Sequence, residues 1–187
     1  MVDESLGQIA GALALVAYIP LVLSILQGKA SPNRATWWIW VLVGTLLGES
    51  YYASGARHTI WVPVSYVIGP AIVALLSIKR GEGGWQRVDR WCLYSTGISV
   101  IVRLAFFRAP LVALLTNLGI DFLGAVPTIG KSYHEPEKED CLYWLITLGG
   151  NVVNMFAIEA PLFEIAVYPV YQLVTDLLIV GLLLRAR

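Results

Sequence analysis

Charge is what this chain has least of. Lys, Arg, Asp and Glu together make up 14% of its residues, against roughly a quarter in an ordinary soluble domain. The basic and acidic residues, 13 of each, cancel, and they form no dense basic patch, so nucleic acid is not an expected partner. Cysteine is nearly missing as well. Cys92 and Cys141 each stand where a polar loop meets an apolar run, without the number or spacing of a disulfide framework or a zinc site. The two histidines, His58 and His134, fall in loop segments with no metal-ligand company, and neither a metal nor a cofactor is expected. No nucleophile motif or Gly-rich phosphate loop is in view, which argues against an enzyme. The basic leader of a cleaved signal is also lacking: Asp3 and Glu4 stand in its place. The apolar run behind them is expected to be the first helix of the mature protein.

What the chain has in abundance is apolar length. Hydrophobic residues make up 57%. Seven apolar runs can be marked, at about 6–26, 35–54, 60–78, 90–107, 111–130, 141–158 and 163–184, each near the roughly 20 residues that cross a bilayer. In lipid an isolated strand cannot satisfy its backbone groups, so all seven are expected to be helices. The expected fold class is an all-α membrane protein with seven transmembrane helices. Ser31-Pro32 reads as the start of the second, with Ser as N-cap and Pro at the first helical position.

The chain also says one thing twice. Pro20, Pro32 and Trp40 are echoed by Pro127, Pro136 and Trp144, and Val62-Pro63-Val64 is echoed by Tyr168-Pro169-Val170. The runs opened by these last motifs end in Ser77-Ile78-Lys79-Arg80 and in Leu183-Leu184-Arg185. Two three-helix repeats are therefore expected, over 1–80 and 110–187, with a linker and the fourth span over 81–109. A three-helix unit ends on the opposite side of the membrane from its start, so a single helix between two copies makes them parallel. On alternate sides of the seven spans, one side carries Lys29, Arg34, Lys79, Arg80, Arg87, Arg90, Lys131, Lys138, Arg185 and Arg187, and the other only Arg57 and Arg108. The positive-inside rule then places the N-terminus outside and the C-terminus in the cytoplasm, with the plasma membrane as the expected location.

Three helices, a linker helix and three more, with a proline late in the first helix of each repeat, resemble the sugar-transporting SWEET proteins and the wider PQ-loop group. The resemblance covers almost the whole chain, although the Pro-Gln signature is here Pro20-Leu21 and Pro127-Thr128. It implies a transporter whose two three-helix bundles flank a central solute pathway, with Pro20 and Pro127 as hinges. In SWEET proteins asparagines of the third and seventh helices and aromatic residues of the second and sixth commonly build the pocket. Here the matching places hold Tyr66 and Gln172, and Trp40 and Trp144 sit nearer the inner surface, as candidates for an inner gate.

Independently of any resemblance, ionisable groups within membrane spans are costly and mark functional candidates. Glu49, Arg103, Asp121 and Asp176 qualify. Glu49 and Arg103 lie about one turn from the outer surface, where pairing or reaching the headgroups explains them. Asp121 shares a helical face with Asn117 and Thr128, and Asp176 follows Gln172 by one turn. Either aspartate could bind a polar solute or exchange a proton during transport; either could instead brace a neighbouring helix. Thr147, Asn151 and Asn154 lie on one face of the sixth span beside Gly150, where the amides suit a neutral hydroxylated or amide-bearing solute or helix association. Asn117, Asp121, Asn151, Asn154, Tyr66, Gln172 and Asp176 are thus expected to line one cavity. Gly7 with Gly11, and Gly44 with Gly48, have the spacing of close helix approaches. Trp37, Trp38, Trp85 and Trp91 read as interfacial anchors.

Two functions compete. The first is transport of a small polar solute, a sugar or other metabolite, by rocking around a midplane site; the second is a receptor on the same seven-helix plan. A retinal-binding pump would need a buried lysine in the last span, and none is there. The bilayer and the solute are the expected partners. The solute's identity, the direction of transport, any coupling ion and the oligomeric state stay open.

Overall fold

The computed structural model describes residues 4–53, 57–83, 86–105, 110–160 and 162–185. Within them the chain is helical, with α1 over Glu4–Leu26, α2 over Arg34–Ala53, α3 over Trp61–Arg80, α4 over Arg87–Ala105, α5 over Pro110–His134, α6 over Cys141–Phe156 and α7 over Phe163–Arg185. A single 3-10 turn, Pro136–Lys138, joins α5 to α6. Three of these helices, α1, α3 and α7, are long and apolar enough to cross a membrane. The apolar character is turned outward. Val88, Trp91, Tyr94, Ile98 and Ile101 form an exposed stripe along α4, and Ile9, Val16, Ile19 and Leu23 do the same on α1. Beside its apolar clusters the interior also holds polar groups, including Asn117, Asp121, Thr147, Asn151, Asn154, Gln172 and Asp176. Such large exposed apolar surfaces are foreign to a soluble monomer.

Helix neighbours follow a pattern. α3 packs against α1 and α2, as α7 packs against α5 and α6. Across these groups α1 lies on α6, and α2 lies on α5. α4 runs along α5 with a smaller contact to α2. Glycines set two of the approaches. A Cβ on Gly11 would come within 2.8 Å of the Trp61 backbone, and one on Gly44 within 2.3 Å of the Tyr66 carbonyl oxygen. Gly7 is closer still to His58. Gly48 differs from the expectation, because among the described residues nothing lies within 4 Å of where its Cβ would be.

The start of α2 also differs. Asn33, not Ser31, caps it: the Asn33 side-chain oxygen accepts from the Thr36 amide at 3.2 Å. Pro32 stays outside the helix, where its carbonyl accepts from the Glu82 amide at 3.0 Å, while Ser31 donates its amide to the Lys138 carbonyl at 3.1 Å. The competing use of these backbone groups by two other loops is what moves the helix start two residues along. Asp140 caps α6, accepting from the Tyr143 amide at 2.7 Å, and its other oxygen accepts from the Ser24 hydroxyl.

Pro20 and Pro127 both lie inside continuous helices, where each removes one backbone donor and frees the carbonyl one turn earlier. Trp37 is a correction to the interfacial reading. It is 3% exposed and packs edge-on against Tyr18 and Trp40, because α2 turns that face toward α1 and α6. Trp38 and Trp91 are exposed. Trp85, and the side chains of Glu49 and Arg103, lie outside the described residues.

Candidate functional site

A narrow cavity opens where α1, α2, α3, α5, α6 and α7 converge. Each of these helices contributes to its wall, and α4 does not. Its volume is about 30 Å³, which is room for about two waters, since one needs some 10 to 15 Å³ of such space. Tyr18, Trp40, Tyr66, Tyr143, Trp144 and Tyr168 supply the rings of the wall. Asp121, Asp176, Gln172, Thr147 and Thr175 supply its polar groups.

Two parallel arrangements hold the carboxylates. The Asn151 amide nitrogen donates to Asp176 at 2.8 Å and to the Tyr66 hydroxyl at 3.3 Å. The Gln172 amide nitrogen donates to Asp121 at 3.4 Å and to the Tyr168 hydroxyl at 2.7 Å. Each buried aspartate therefore shares an amide with a buried tyrosine. Asp121 and Asp176 are 5% and 2% exposed. The spacing of α7 explains half of this: Tyr168, Gln172, Thr175 and Asp176 recur at three and four residues and so share one face.

Toward the end of the molecule where α1 passes into α2, the rings close ranks. Trp40 and Trp144 meet edge-on at 6.1 Å and Tyr143 and Trp144 at 5.0 Å, while Tyr18 and Tyr143 meet at a tilt at 5.3 Å. The Trp40 indole donates to the Asp121 backbone carbonyl at 3.3 Å. The Trp144 indole donates to Glu139 at 3.3 Å, and Glu139 belongs to a charged cluster beyond the rings. At the centre of that cluster is Lys131, 8% exposed. Its ammonium pairs with Glu139 at 2.9 Å and with Glu82 at 3.3 Å. It donates further to the Ser31 carbonyl and to the Lys138 carbonyl at 3.2 Å. Lys138 pairs with Glu135 at 2.9 Å and with Glu82 at 3.2 Å. Hydrogen bonds that the Lys138 ammonium donates to Glu135 and then Glu82 hold it above the ordinary lysine range. At the far end Glu159 accepts from the Arg57 and His58 amides at 3.0 and 2.7 Å. Loops from the two halves of the chain are thus tied together at both ends.

The structure brings four of the expected binding residues, Tyr66, Asp121, Gln172 and Asp176, onto one cavity wall, together with Trp40 and Trp144. Asn151 stands behind that wall, holding Asp176 and Tyr66. Asn117 and Asn154 are not among the lining residues. The Asn117 amide reaches the Leu46 carbonyl of α2 at 3.4 Å. Asn154 is 1% exposed, and neither of its amide atoms has a hydrogen-bond partner. Thr128 bonds Thr36 of α2 at 3.0 Å and so braces two helices. Tyr18, Tyr143, Tyr168 and Thr175 escape the sequence reading. For Tyr168 and Thr175 the signal was present, because they fall one turn either side of Gln172.

The chain matches no protein-family model, no curated protein and no solved structure.

Proposed function

We propose that the chain is a SWEET-like transporter that carries a small polar solute across a membrane by alternating access. On this reading all seven helices cross the bilayer. Residues 1–80 and 110–187 form two parallel three-helix bundles, joined by the linker and helix of 81–109. The N-terminus lies outside and the C-terminus in the cytoplasm of a plasma-membrane protein. The observation that carries the proposal is the cavity walled by α1, α2, α3, α5, α6 and α7 with α4 left out. The matched helix neighbours support it: α3 between α1 and α2, α7 between α5 and α6, and each first helix lying on the opposite second one.

Rocking of one bundle against the other would open the cavity to each side in turn. Trp40 and Trp144 would form the inner gate, with the Lys131 cluster behind them. Pro20 and Pro127, each missing one helical hydrogen bond, would absorb the bending. Asp121 and Asp176 would meet the solute, and either would take up and release a proton during the transport cycle.

Reconstitution into liposomes tests the proposal. Time-dependent accumulation of a labelled solute, lost on clamping Trp40 and Trp144 together as a cysteine pair and regained on reduction, is the expected result. A solute that binds the purified protein but never accumulates would point instead to a receptor.

A further inference from the structure

We infer that the central cavity takes a cation, of the class of small organic ammonium or guanidinium compounds, and not a neutral sugar. The transport of that cation rests on the function proposed above, whereas its binding stands on the cavity alone.

Two carboxylates face the cavity, and among the described residues no Lys, Arg or His lines it. Among the described residues their hydrogen-bond partners are neutral, the amides of Asn151 and Gln172. Lys131, the buried cation nearest in kind, is engaged by Glu82 and Glu139. Carboxylates away from water need a compensating positive charge or a proton. A monocation with one proton, or a dication, balances the pair.

The remaining wall fits the same class. Six aromatic rings surround the space, and ring faces attract ammonium and guanidinium groups through their quadrupoles. A hydrated inorganic ion would not need them. The Asn151 and Gln172 amide nitrogens turn toward carboxylate and phenol oxygens. That orientation leaves the Asn151 side-chain oxygen, on a residue 1% exposed, without a donor. A sugar hydroxyl both donates and accepts, but it brings no charge to balance the two carboxylates. An anion would be repelled outright. In the present form the cavity has room for about two waters, so the cation enters when the bundles part.

Thermal unfolding of the full-length protein in detergent, with four probes, decides the matter. The probes are choline, its uncharged isostere 3,3-dimethylbutan-1-ol, the dication agmatine, and glucose. The expected result is that choline or agmatine raises the melting temperature with the logarithm of its concentration, while the isostere and glucose do not. Asp121→Asn and Asp176→Asn should each weaken that cation at least tenfold. If either variant fails to fold, the comparison of choline with its isostere on the native chain decides alone. Stabilisation by glucose or the isostere equal to that by the cations would overturn the inference and leave transport intact. No stabilisation by any of the four would overturn it as well. A cation that binds but is not accumulated by proteoliposomes would uphold the inference and remove the transport reading.

Discussion

Replacing Lys131 by Met keeps the apolar stem and removes the charge, and it should be among the most damaging single changes outside the cavity. The ammonium lies 2.9 Å from Glu139 and 3.3 Å from Glu82. At an effective dielectric of about 20, pairs at these distances attract by roughly 5 to 6 kcal/mol each before the desolvation of the ions is subtracted. The net effect is smaller, and the two partners differ. The Glu139 side chain is only 6% exposed, so without Lys131 its charge stays buried and unbalanced, a situation that costs about 3 to 5 kcal/mol. Glu82 is 31% exposed, and water will screen it. We expect Lys131→Met to destabilise the fold by about 3 kcal/mol, read as the shift in a reversible detergent-denaturation midpoint. Adding Glu139→Gln should recover most of that loss by removing the stranded charge. Lys138→Met is the control, because the Lys138 side chain is 39% exposed and surface pairs contribute at most about 1 kcal/mol. A Lys131→Met protein within about 0.5 kcal/mol of the native one, or a double variant no better than the single, would refute the argument.

Gly44→Ala should cost about 1 to 3 kcal/mol by forcing α2 and α3 apart, whereas Gly48→Ala, with open space around it, should be neutral or stabilise by up to about 1 kcal/mol; comparison of the two melting curves checks this. Asn151→Ala should cost about 1 to 3 kcal/mol, since it strips Asp176 and Tyr66 of a buried donor, while Asn154→Leu, which removes an unpaired amide, should leave the melting temperature unchanged or raise it. Under the transport reading, Asp176→Asn should abolish the pH dependence of uptake. An unchanged pH profile with a shifted melting temperature would show a bracing role instead. Cys92 and Cys141 are both buried, so native thiols report burial as much as sidedness. Cysteines placed at the exposed positions of Lys29 and Arg57 should give the orientation: in intact cells an impermeant thiol reagent should label the second and not the first.

Helix positions were legible because long apolar runs bounded by polar turns mark helices whatever they pack against. Every helix begins and ends within a few residues of the expected bounds. Asp121 and Asp176 were legible for the related reason that a charge in such a run is rarely tolerated without a use. What periodicity could not give was the partner across the gap. Asn151 and Asn154 share a helical face, yet only Asn151 reaches a carboxylate, because that depends on where α7 places Asp176. The tyrosines were hidden by resemblance to interfacial anchors, which favour the same residue type. The Lys131 cluster was hidden by distance along the chain: its partners lie in three separate loops, and a lysine near a helix end has an ordinary explanation as an anchor or a topology signal. Ser31 and Asn33 are both good caps, and the choice between them was made by Glu82, some fifty residues away.

The shortness of α6 carries a consequence for the lipid around it. At about 1.5 Å per residue, its 16 residues rise about 24 Å, some 10 Å less than the 23 of α1 and below the roughly 30 Å of a typical hydrocarbon layer. One side of α6, with Leu142, Leu145, Val152 and Phe156, is exposed. In a bilayer that side would draw the two leaflets together locally, while the longer α1 and α7 beside it would meet a normal thickness or tilt. The protein would then sit at a step in membrane thickness. Lipids with shorter acyl chains should collect along α6, and under the transport reading solute flux should rise as the average chain length of the surrounding bilayer falls.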